Sequence, residues 1–161
     1  MLLFPALDAL AQEIRTCMGG TACEYAVYVT RGMPSADCNS IAVWYGGSSI
    51  SDRDSSECEV WFDSLVNITI TRCCMMPDAE AEYDPARENA EAQCFLEDLT
   101  SLRNCLYCNA TPIMEPYMDG CSAQISSVEV DTEAEGGCYS ATVTFNVLER
   151  DCCPPPVNPI P

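Results

Sequence analysis

The sequence predicts an α+β domain: a mainly antiparallel sheet with two helices packed on one face and an extended proline-rich C-terminal tail. Three observations lead there. Two segments repeat apolar side chains at helical spacing, five others are β-branched or alternate apolar with polar residues, and their order along the chain is α-β-β-β-α-β-β. A chain of 161 residues is sized for one domain, assigned to residues 1–151, with 152–161 as the tail.

The first helix rests on Leu3, Leu7, Leu10 and Ile14, with Asp8, Gln12, Glu13 and Arg15 on other faces, and Gly19-Gly20 ends it. Tyr25 to Thr30 reads as a strand, and Ile41 to Tyr45 as a second one closed by Gly46-Gly47. Ser48 to Ser56 is a polar loop. Cys58 to Thr71 is strand-like, with Val66, Ile68 and Ile70 alternating against Asn67, Thr69 and Thr71, and its length predicts a bend near Asp63-Ser64. An acidic loop follows Cys73-Cys74. Asp84-Pro85 then supplies an N-cap with proline at the first helical position. The helix that follows is predicted to run to about Tyr107, with Ala92, Phe95, Leu99, Leu102 and Leu106 as its apolar stripe and Glu88, Glu91, Glu97, Asp98 and Arg103 largely outside it. An irregular stretch with Pro112 and Pro116 precedes two last strands, Ala123 to Asp131 and Tyr139 to Leu148, joined through Gly136-Gly137 as a hairpin. The closing run from Pro154 to Pro161 is polyproline-like.

Composition excludes several chemistries. The chain carries 25 acidic and 7 basic residues, a net charge of -18, and every basic residue is arginine. Without histidine there is no Ser-His-Asp or Cys-His catalysis and no imidazole ligand. Without lysine there is no Schiff base and no P-loop lysine. An acidic surface repels phosphates, so sequence-specific nucleic-acid binding is not expected. The first eight residues do not read as a signal peptide, because Asp8 breaks the apolar run and no basic segment precedes it. No stretch is long and apolar enough for a membrane span. No enzyme activity and no cofactor is expected.

The 13 cysteines are the unusual feature, and their odd number leaves at least one without an intrachain disulfide partner. They suit either an oxidising destination or a set of buried thiols. Cys105-Leu106-Tyr107-Cys108 is a CxxC. At the close of a helix, the negative dipole end disfavours the thiolate that redox catalysis needs. Cys105 and Cys108, joined by Cys73 and Cys74, are weak candidates for a thiolate-metal site. Cys121 and Cys138 bracket the terminal hairpin and are the candidate cross-strand disulfide. Asp131, Glu133 and Glu135 before Gly136 resemble the start of a calcium loop, but Thr142 stands where its bidentate glutamate belongs, so a solvated turn is expected. Trp44, Trp61, Tyr28 and Tyr45 are expected in the core or at a subunit interface. The sequons at Asn67 and Asn109 matter only in a secretory pathway.

With this order established, the chain resembles the tail-terminator and head-to-tail connector (neck) proteins of long-tailed bacteriophages. The likeness lies in Leu3-Phe4-Pro5-Ala6-Leu7-Asp8-Ala9-Leu10 as a short N-terminal helix and in Asn67 to Cys74 with the acidic loop and the Asp84-Pro85 helix. The closing strand from Gly136 to Val147 completes it. The resemblance covers about residues 1–150 and brings no catalytic residues with it. It implies a structural virion protein, assembled in the host cytoplasm and released by lysis. Foremost is the tail terminator, a homohexameric ring that caps the tail tube and joins it to the head connector. Partners would be further copies of the chain, the tail tube protein, the connector or stopper protein, and DNA that passes the lumen without specific binding. A ring subunit also needs a docking arm, for which Pro154, Pro155, Pro156 and Ile160 are the candidate residues. The alternatives are another connector or minor tail protein such as a stopper, or a cysteine-stapled or thiolate-metal binding module.

Overall fold

Helix α1 (Leu3–Met18) forms because Ala6, Leu7, Leu10, Ala11, Ile14 and Met18 recur on one stripe, and all six are buried. It belongs to a computed structural model that describes residues 3–20, 24–34, 39–51, 59–73, 84–117, 123–135 and 138–152. The remaining elements are β1 (Ala26–Thr30), β2 (Ser40–Ser51), β3 (Glu59–Cys73), α2 (Pro85–Met114), β4 (Ala123–Glu135) and β5 (Cys138–Cys152), with a 3-10 turn at Glu115–Tyr117. The α-β-β-β-α-β-β order is therefore present, and the protein is of the α+β class.

The strands form one five-stranded sheet in the order β1-β2-β3-β5-β4. Three of its pairings are antiparallel and β1–β2 is parallel. That parallel pair needs a return path from Thr30 to Ser40, which the residues between them are long enough to span. The Ala26 amide donates to the Asn39 carbonyl at 3.0 Å where the chain re-enters. Period-two alternation puts Ile41 and Val43, Val66, Ile68 and Ile70, and Ala141, Val143, Phe145 and Val147 on one face, where both helices pack. Trp44, Asn67, Thr69, Thr142 and Thr144 take the opposite face.

Several boundaries differ from the sequence expectation, each for a physical reason. Strand β2 does not close at Gly46-Gly47. A bulge between Tyr45 and Gly47 carries it through to Ser51, with Gly47 at φ 120, where a side chain would be strained. The segment expected to bend near Asp63-Ser64 is one 15-residue strand, paired along its whole length with β5. Asp84 is the N-cap as expected, its Oδ1 accepting from the Ala86 amide at 3.0 Å. Helix α2, however, passes Tyr107 and Pro112 and ends at Met114. Proline removes one backbone bond, but Ala110 and Met114 are fully buried, and their packing holds the last turns. Residues Asp131 to Glu135 are strand rather than turn, so the calcium-loop look-alike is part of the β4 ladder.

Candidate functional site

Among the described residues, chemistry-bearing side chains converge at four places. The first is the junction of α1 and α2. Glu13 and Cys17 lie one turn apart on α1, Cys105 and Asn109 one turn apart on α2, and the helices meet so that the two pairs face each other. Cys17 and Cys105 form a disulfide across a sequence separation of 88, with Cα atoms 6.0 Å apart. Asn109 Nδ2 donates to Glu13 Oε1 at 2.9 Å, and Cys17 Sγ lies 3.7 Å from the same oxygen.

The second joins α2 to the sheet. Asp98 is buried at 5 % exposure and accepts from the Tyr25 hydroxyl at 2.6 Å and from Arg72 at 3.0 Å. A residue that periodicity places outside the apolar stripe is thus drawn inside by its partners. A buried carboxylate is tolerable only when paired and hydrogen-bonded, and both conditions are met here. Phe95 stacks on Tyr139 beside it, ring centroids 5.6 Å apart.

The third is the polar face of the sheet. Trp44 Nε1 donates to Thr69 Oγ1, which shares a bond with Thr142, and Thr144 donates to Asn67 Oδ1 at 2.8 Å. Trp44 is therefore fixed by its indole N–H within the polar ladder, whereas Tyr45 packs against the apolar core. Side chains bonded across three strands hold the face flat against sliding and give it a fixed pattern of hydroxyl and amide groups. Asn67 is buried, and Asn109 is half-buried and engaged with Glu13, so neither sequon asparagine presents a free amide.

The fourth is an open cavity of about 300 Å³ at the β2 bulge, lined by Gly46 to Ser49 with Asp63, Leu65 and Asn146. Asp63 Oδ1 is buried there without a hydrogen-bond partner among the described residues.

Of the residues singled out from sequence, Cys105 is found in the disulfide and is 8 % exposed. Cys108, one turn further, is an exposed free thiol. Because α2 continues to Met114, this CxxC sits inside the helix rather than at its end, away from the negative dipole end expected for it. Cys73 ends β3 with Cys138 as its register partner on β5. Cys74 and Cys121, and the proline tail with Pro154, Pro155, Pro156 and Ile160, lie outside the described residues. Cys17 was not singled out. The visible signal was the Glu13–Cys17 spacing at the border of the α1 stripe, which has meaning only once its partner helix is known.

The chain matches no protein-family model and no curated protein.

Proposed function

We propose that the protein is a structural subunit of a phage neck, most directly the tail terminator, forming a ring that caps the tail tube and meets the head connector. The observation that carries this reading is the one-sided sheet. Both helices pack on a single face, which leaves the Trp44–Thr69–Thr142 face, the short edge strand β1 and the 13-residue edge strand β4 for neighbouring subunits. Strands β3 and β5 stay paired for five register positions beyond Val147, the last residue of the described core, or about 16 Å. Paired strands that long offer a rigid ledge on which a neighbour or the tail tube can seat. The element order fits the resemblance drawn from the sequence.

The net charge of -18 agrees with a lumen past which DNA slides without adhering. The partners on this reading are further copies of the chain, the tail tube protein and the connector or stopper protein, and the protein resides in the virion. A stopper or minor tail protein would share most of these features.

Native mass spectrometry and negative-stain imaging of the full chain, alone and with tail tube protein, test the proposal. Closed rings, with hexamers expected, support it. A chain that stays monomeric under both conditions counts against it.

A further inference from the structure

We propose that in the reduced chain Glu13, Cys17 and Cys105 form a binding site for a thiophilic divalent cation, with zinc the best fit. The three side chains come from two helices, and one ligand atom from each lies within 4.8 Å of the others. Zinc takes thiolate sulfur at about 2.3 Å and carboxylate oxygen at about 2.0–2.2 Å in a tetrahedral set. Two sulfurs on one such ion are about 3.8 Å apart, a spacing that side-chain rotation reaches once the disulfide bond is gone.

The surroundings favour a cation over an empty thiol pair. Asn109 donates to Glu13 at 2.9 Å and so holds the carboxylate against the sulfurs, the role an outer partner plays around a metal ligand. A neutral disulfide gains little from a carboxylate 3.7 Å away, whereas an ion bound by two thiolates gains a third ligand. Glu13 and Cys17 are half-buried, so an ion and one water at the fourth position have a route in, while Cys105 closes the inner side. Two thiolates and one carboxylate outweigh the ion by one negative charge. The set therefore suits a doubly charged cation and no anion. The chain's overall charge of -18 raises the local cation concentration further.

The step balances with a thiol reductant. The Cys17–Cys105 disulfide, two reductant thiols and one zinc ion give the zinc dithiolate, one reductant disulfide and two protons. Oxidation by a small disulfide runs the same equation backwards, re-forms the bridge and releases the ion. The α1–α2 junction is clamped in both conditions, by metal where thiols prevail and by the covalent bond where they do not. This inference stands or falls apart from ring assembly.

The test uses the full chain reduced with a phosphine, with zinc and with cobalt as its spectroscopic substitute. Other thiols among the 13 will bind some metal, so the readouts are mapped to individual cysteines or compared between variants that differ only at one residue. Zinc is expected to slow alkylation of Cys17 and Cys105 together, mapped by peptide mass spectrometry, while exposed Cys108 continues to react. Glu13→Gln keeps an oxygen for Asn109 to donate to. It is expected to weaken the cobalt–thiolate charge-transfer titration at least tenfold, and Cys108→Ser to leave it unchanged. Equal alkylation of Cys17 and Cys105 with and without zinc overturns the proposal. So does a Glu13→Gln titration indistinguishable from wild type, or a bridge that the reductant cannot open in the folded chain.

Discussion

Asp98 shows how a single residue can reverse its apparent assignment. On a helical wheel it belongs with the solvated acids. In the fold it receives Tyr25 and Arg72 at 2.6 and 3.0 Å and ties α2 to the ends of β1 and β3. Removing one member of a buried charge pair costs more than the pair contributes, because the survivor is left desolvated. Arg72→Met should therefore lower unfolding free energy by about 3 kcal/mol. Tyr25→Phe, which deletes one bond to a charged acceptor, should cost about 1.5–3 kcal/mol. Urea melts of both variants check this, and equal, near-zero effects would mean that Asp98 is solvated. Gly46 is a second case at this scale. A Cβ there meets the Asn67 amide nitrogen and crowds Leu65, so Gly46→Ala must displace Asn67 and with it the bond from Thr144. A loss of about 1–3 kcal/mol is expected from that overpacking, well above the effect of the same change at Gly20, where open space surrounds the added methyl.

Between the elements, the Cys17–Cys105 bridge closes a loop of 88 residues and so constrains most of the unfolded chain. Chain-entropy reasoning assigns such a bridge an upper value of about 4–5 kcal/mol, and measured bridges commonly give about 2–4. Cys17→Ser should thus lower the melting stability of the oxidised chain by that lower amount and leave the metal-free reduced chain nearly unchanged. A loss of the same size in both states would trace the effect to packing instead. The helices, the sheet strands and the N-cap at Asp84 were legible in the sequence because period and capping chemistry are local properties. Features that depend on tertiary context were not. The extension of α2 past Pro112 depends on the burial of Ala110 and Met114, which propensity does not record. The continuation of β2 through Gly46-Gly47 depends on a bulge opposite Leu65 and Val66 of β3. The pairing of Cys17 with Cys105 depends on which helix faces meet, and the 13 cysteines allow too many connectivities for spacing to choose. The site was illegible for that same reason. Its residues come from two helices separated by three strands, and neither half carries a signature alone.

For the whole molecule, charge and assembly oppose each other. Each copy carries -18, and closing the proposed ring would bring several such copies to within a few ångströms along shared edges. Among the described residues Asp8, Glu24, Asp84, Glu88, Glu97 and Glu115 are exposed, and salt screens repulsion between such solvated charges over about 8 Å at physiological ionic strength. Only arginine supplies positive charge, and Arg72 and Arg87 are already paired within the chain, with Asp98 and Glu91. With 7 basic against 25 acidic residues, bridges between subunits of such a ring would be few, and attraction would come from backbone edges, hydroxyl and amide ladders and apolar contact. Those interactions do not weaken with salt, while the repulsion does. Self-association should accordingly strengthen as salt is raised from about 20 to 500 mM, and duplex DNA should not be retained at any point in that range. Light scattering across the salt series, with filter retention of labelled duplex in parallel, reads both. Association that instead falls with salt would place ion pairs at the subunit boundary. DNA retention that falls with salt would reveal a basic surface and remove the argument for a lumen past which nucleic acid slides.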